Sequence, residues 1–232
     1  MKRFYKSSTA VETDGGFAVH LDGRAVRSPA KAPLILPTLA LAQAVADEWN
    51  AQGDKIVPDS MAQMSLGSTA IDRVVPNREV VADEASGFAG SDLLCYRAER
   101  PESLTSLQAD GWDPILDWVA QRYDVHFETT AGIMPVAQPD ATLTRMREVA
   151  HALDPFELTA VHVMTTAYGS FLLALSVLNG ERSPQQALDL SRIDEAHQAE
   201  RWGEEDEARK RRERLSGEVE AAHRFLTLLR QG

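Results

Sequence analysis

The sequence predicts an α+β chain in two parts: a small β-rich N-terminal domain over residues 1–37, then a larger, mainly α-helical domain over residues 38–232. Three observations carry this prediction. Short segments near the N-terminus are separated by Asp14-Gly15-Gly16 and Asp22-Gly23, residues that tolerate the positive φ of tight hairpin turns. Pro29, Pro33 and Pro37 then punctuate the chain. From Thr38 onward apolar residues recur at helical spacing.

The expected strands are Arg3 to Lys6, Ala10 to Thr13, Phe17 to Leu21, Ala25 to Arg27 and Leu34-Ile35-Leu36. Thr38 offers a cap for a helix to about Gln52, with Leu39, Ala42, Val45, Ala46 and Trp49 on one face and Gly53 ending it. Further helices are expected over Ser60 to Val74 and Asn77 to Gly90, with a strand over Asp92 to Arg97. Pro101 opens a helix through Trp112 to Val119, which Pro114 should kink or divide. A short strand over Val125 to Thr129 and a helix over residues 140–152 follow. Asp154-Pro155-Phe156-Glu157 is a strong helix start: a cap, a proline at the first position and an acid at the third.

The run Leu158 to Leu178 has no charged residue unless His162 is protonated. Its 21 residues are long enough to span a bilayer. Its Thr, Ser and Tyr content favours a buried helix of a soluble bundle instead, with His162 as a hydrogen-bonded core histidine. Asn179-Gly180 stops it, and Ser183-Pro184-Gln185-Gln186 gives a capping box for the next helix, expected to carry the stretch Ser191 to Glu204 as well. A last helix is expected from about Glu218 to Leu229, with Val219, Ala222, Phe225, Leu226 and Leu229 on one face.

The charge balance excludes whole classes of function. Lys+Arg 24 against Asp+Glu 35 gives a formal net charge of -11, which argues against binding nucleic acid or anionic membrane. The basic run Arg209 to Arg214 directly follows the acidic run Glu204 to Glu207, and in a helix such runs pair at i,i+4 as a solvated face. The single cysteine, Cys95, permits no intrachain disulfide, and its apolar neighbours predict a buried, inert thiol. Met1 is followed by no apolar signal core and no Arg/Ser-rich transit segment.

Motifs for chemistry are sparse. There is no phosphate-binding glycine loop, no nucleophile elbow and no cysteine pair for zinc. Glu148/His151, Asp194/His197 and Glu220/His223 place an acid three residues before a histidine, the pattern of di-iron helical bundles. With 35 acids in the chain such spacings also arise by chance, and the apolar run 158–178 supplies no carboxylate. Trp49, Trp112 and Trp118 are expected in the core, whereas Trp202 has charged neighbours and suits a binding anchor.

Ser191-Arg192-Ile193-Asp194-Glu195 with Gln198-x-x-x-Trp202-Gly203 reads as a polar helix with one aromatic anchor. It resembles the C-terminal motif of the Atp12 family. The resemblance extends through Arg3-Phe4-Tyr5-Lys6, Leu21-Asp22-Gly23-Arg24, Ser28-Pro29 and Glu48-Trp49. It continues through Ile71-Asp72, Asp92 to Arg97, Gln108-x-x-x-Trp112-Asp113-Pro114 and Gly169-Ser170, in order along nearly the whole chain.

The resemblance implies a molecular chaperone that binds the unassembled alpha subunit of F1 ATP synthase and promotes assembly of F1. It further implies no nucleotide hydrolysis, no enzyme activity, no cofactor, no bound metal and no nucleic acid or membrane partner. Asp194, Glu195, Gln198, Trp202, Gly203 and Glu204 are the expected partner-binding residues. The alternative for the acids is that Asp194 or Glu195 ties its helix to the N-terminal unit through an arginine such as Arg24. The protein is expected to be a monomer of the bacterial branch, working in the cytoplasm, or in the mitochondrial matrix if eukaryotic. A metal-dependent, di-iron-like helical oxidoreductase is the alternative function.

Overall fold

A computed structural model describes residues 1–132, 134–203 and 205–231. The chain folds as two units: one of residues 1–78, 154–160 and 221–232, the other of residues 79–153 and 161–220. Short strands come first and helices follow, the α+β order expected.

The first unit is organised by β1 (Ser8–Thr13) and β2 (Gly16–Leu21), an antiparallel hairpin in which Thr13 faces Gly16 across the turn. β3 (Arg24–Ala25) pairs with one end of β2, and β4 (Ile35–Leu36) with the other. Residues 3–6, expected as a strand, stay outside this sheet. Arg3 instead gives its backbone N–H to Asp54 and its guanidinium to the carbonyls of Tyr5, Lys6 and Gln52.

Gly16 is fixed by space. A Cβ there would sit 2.5 Å from the Leu36 carbonyl oxygen, at φ +147. The obstacle is backbone and cannot swing away. Gly16→Ala is therefore expected to cost about 2 kcal/mol or more, read as a fall in thermal midpoint. An unchanged midpoint would mean that the β2–β4 pairing adjusts freely.

α1 (Leu39–Asn50) starts where Thr38 Oγ1 accepts from the Leu41 N–H, and it lays Leu41, Ala42, Val45, Ala46 and Trp49 into the core. The Glu48 carboxylate accepts from the N–H groups of Gln63 and Met64 at 2.7 and 2.8 Å. These are orphan donors at the start of α2 (Ala62–Thr69), so one acid joins two helices. The single helix expected to Val74 is divided. A 3₁₀ turn precedes α2, and the five residues Ala70–Val74 widen into a π-helical turn closed by the Val75 N–H on the Ala70 carbonyl.

In the second unit α3 (Arg78–Gly87) is followed by 3₁₀ turns where a strand was expected; only β5 (Tyr96–Arg97) is extended. α4 (Glu102–Tyr123) runs through Pro114 as one helix. The helix carbonyl that Pro114 leaves without a donor is that of Asp110, an exposed residue. The strand expected over Val125 to Thr129 falls later, as β6 (Thr130–Ala131), parallel to β5. α5 (Asp140–Ala152) is as expected.

The apolar run is two helices, not one: α6 (Pro155–Tyr168) and α7 (Phe171–Leu178). Gly169 takes φ +69, which ends α6, and the Ser170 hydroxyl accepts from the Leu173 N–H to start α7. No helix among the described residues is long and apolar enough to cross a membrane. His162 is half-exposed, with Nε2 3.6 Å from a Glu84 carboxylate oxygen, and is not the core histidine expected. Trp118 is only half-buried, while Trp49 and Trp112 are core.

α8 (Pro184–Leu190) has the full capping box of Ser183 and Gln186, and α9 (Ile193–Trp202) is a separate helix after it. α10 (Asp206–Leu229) begins twelve residues earlier than its apolar face suggests, because Arg209–Glu213 and Arg214–Glu218 pair at i,i+4 along its charged start. Cys95 is buried, and burial together with the nearby Asp92 charge pushes its thiol up to about 12.

Candidate binding surface

α9 is held from beneath by side chains that lie far apart in the sequence. Gln108 on α4 donates from Nε2 to Asp194 Oδ1 at 2.6 Å, and its own Oε1 accepts from the Ala98 N–H at 2.8 Å. Arg97 reaches the Leu94 and Gln108 carbonyls and the Asp113 carboxylate, and its guanidinium lies 5.1 Å from the Trp112 ring centre. Trp112 donates from its indole to the Leu190 carbonyl at 2.8 Å, fixing the chain just before α9. Gly111 makes room for this approach: a Cβ there would lie 2.8 Å from a Leu190 methyl and 2.9 Å from an Ile193 methyl.

Deeper in the same unit Asp92 is fully buried. Its Oδ1 accepts from the Ser170 hydroxyl at 2.7 Å and the Leu94 N–H, and its Oδ2 accepts from the Leu172 N–H. Burial outweighs these donors and raises its carboxyl to about 6.

On this support α9 turns most of its side chains outward. Only His197 is buried, with Nε2 3.0 Å from the Ser103 hydroxyl. Glu195, Gln198 and Gly203 are exposed, and Trp202 is 78% exposed, a large indole in water. Beside it a cleft of about 750 Å³ runs between α9 and the charged start of α10. Its lining combines the apolar Ala196, Ala199, Ala208 and Leu215 with the charged Glu195, Glu200, Arg211 and Arg212. A large exposed aromatic at an apolar cleft with mixed charges around it is the composition of a protein-binding hot spot.

The expected partner-binding residues thus fall into three groups. Trp202, Gln198 and Glu195 sit on the open face, with Glu195 also held 2.8 Å from Arg192. Asp194 is half-buried and faces Gln108. Gly203 ends the helix, and Glu204 lies outside the described residues. Within the second unit Asp194 accepts from Gln108 and Glu195 from Arg192.

The α10 wall of the cleft has no apolar signature in the sequence, because residues 206–217 carry little apolar periodicity and show only runs of charge. The supporting roles of Gln108 and Arg97 were not foreseen either, although both lie in motifs that carry the family resemblance. The acid–histidine pairs do not converge. His151 faces Asp83 and Glu79, and His197 faces Ser103. Among the described residues no three His, Cys, Asp or Glu side chains gather to hold a metal ion.

A family model described as the ATP12 chaperone protein matches residues 2–120. The crystal structure of Atp12 from Paracoccus denitrificans superposes with a TM-score of 0.96 at 41% identity, covering 98% of this chain and 98% of that one. A point mutant of P. denitrificans Atp12p gives the same score and identity over 98% and 97%. The mitochondrial protein atp12 of Schizosaccharomyces pombe is 23% identical over 89% of this chain and 75% of its own length.

Proposed function

This chain belongs to the ATP12 chaperone family, and from that premise we propose that it is a non-enzymatic assembly chaperone that holds the unassembled alpha subunit of F1 ATP synthase. The observation that carries the reading is the exposed Trp202 at the α9–α10 cleft. A ring subunit awaiting its neighbours exposes apolar surface that is prone to aggregate. A chaperone that must cover this surface and later release it is suited by a moderate interface with a polar rim and a few strong anchors. Trp202 is the anchor, Glu195 and Gln198 the polar surround, and Asp194 the residue that fixes the helix through Gln108. Gly203, which ends the helix, and Glu204 belong with them as proposed partner-binding residues. Release comes from competition by the beta subunit, with no nucleotide consumed. The chaperone acts as a monomer, in the cytoplasm of a bacterium or in the matrix if the source is eukaryotic; the 41% identity to the Paracoccus protein favours the former.

The test is co-purification with isolated alpha subunit, followed by addition of beta. A one-to-one complex that dissolves when beta arrives is expected. Trp202→Ala should weaken the complex about thirtyfold, the scale of a hot-spot truncation. Its thermal midpoint should not move, because an exposed side chain contributes little to folding. Asp194→Lys should abolish the complex while the circular dichroism spectrum stays native. An intact complex with Trp202→Ala would sink the assignment of this surface, and no binding to soluble native alpha would sink the function.

A further inference from the structure

The first unit carries a cleft of its own, about 840 Å³ in volume. Ile56, Met61 and Met64 give it apolar walls, Trp49 lines it, and Asp72 and Arg73 reach it from the π-helical turn. Single π turns are rare and concentrate at functional sites, because inserting a residue re-aims the side chains that follow. Asp72 is already engaged: Oδ1 accepts from the Ser28 hydroxyl at 2.5 Å and Oδ2 from the Ala30 N–H at 2.9 Å, so it fixes the Pro29 wall. The Arg73 side chain, by contrast, has no hydrogen bond or ion pair among the described residues. Asp59 is the other charge at the cleft. The Trp49 indole N–H is sealed from solvent and has no acceptor. A buried orphan donor costs about 1–3 kcal/mol and calls for a physical reason. Methionine walls are adaptable, since their unbranched side chains re-pack around different shapes.

We infer that this cleft binds a short peptide segment in which an apolar side chain is followed by a carboxylate. The apolar side chain seats between Met61, Met64 and Ile56. The carboxylate pairs with Arg73, whose planar fork suits it. As the methionines yield, a main-chain carbonyl of the segment accepts from the Trp49 indole. If the chain is an assembly chaperone, the segment belongs to its client; that clause alone rests on the function proposed above.

The probe is the acetylated, amidated hexapeptide Ala-Leu-Leu-Glu-Ala-Ala, titrated into ¹⁵N-labelled full-length protein. The four tryptophans give four indole resonances, and the one lost in Trp49→Phe is assigned to Trp49. The Trp49 resonance is expected to move, saturating with peptide. Arg73→Glu should weaken binding at least fivefold and reverse the preference, so that the version with Lys in place of Glu binds better. A Trp49 resonance that stays still at millimolar peptide overturns the inference. So does equal affinity for the Glu and Lys peptides in both proteins. Movement confined to the Trp202 resonance would place the peptide at the α9–α10 cleft, which also overturns the inference and leaves the alpha-subunit reading untouched.

Discussion

Trp112→Ala is expected to destabilise the protein by about 4 kcal/mol, in the range for emptying a buried aromatic site. That is a large share of the roughly 5–15 kcal/mol that holds a domain together. Three losses combine. The ring is 2% exposed and fills the space between α4 and the chain entering α9. Its N–H is the donor to the Leu190 carbonyl, and its face supports the Arg97 guanidinium. Trp112→Phe separates these terms. It keeps most of the volume but removes the donor, and should cost about 1–2 kcal/mol. Urea unfolding followed by circular dichroism reads both values. A loss below about 1 kcal/mol for the alanine variant would show that the site collapses around the gap and that α9 does not depend on this ring.

Asp92 should make stability fall with pH in a window where most carboxylates do the opposite. Its carboxyl is raised to about 6 in the folded chain by burial, against an ordinary value near 3.8. The protonated form is therefore the one the fold favours. The stabilisation is complete below about pH 3 and is lost as pH rises through 6. A shift of this size corresponds to about 3 kcal/mol between pH 3 and 7.5. Asp92→Asn removes the titration and adds a fixed offset, because its amide N–H₂ faces the donors of Ser170, Leu94 or Leu172. The stability of the native chain minus that of the variant cancels every other carboxylate. That difference should drop by about 3 kcal/mol across the window in urea titrations. Parallel pH profiles would mean that the donors around Asp92 balance its burial.

Legibility in the sequence followed how local the physics was. Thr38, Ser183 with Gln186, and Asp22-Gly23 announce their caps and turns because each acts on groups within a few residues. The break inside the apolar run was harder to see, since burial continues across it. Gly169-Ser170 held the clue, a positive-φ stop followed at once by a capping hydroxyl. The start of α10 shows in the sequence only as charged runs that can pair at i,i+4, because charge pairs, not apolar spacing, sustain it. The β5–β6 pair could not be placed because two-residue strands have no periodicity to read. Trp202 was legible as an exposed ring from its charged neighbours. The far wall of its cleft was not, for it is supplied by the start of α10, a separate helix. Gln108 and Arg97 act across many residues, and no local pattern states which carbonyls they will meet.

Cys95 has a practical corollary. It is the chain's only thiol, it is sealed in the core, and its proton is held up to about 12. At neutral pH it presents almost no thiolate to an alkylating reagent. A cysteine introduced on the surface would therefore be the sole reactive handle without any cysteine-free background having to be made first. One fluorophore or spin label could then be placed on either cleft of the otherwise native protein.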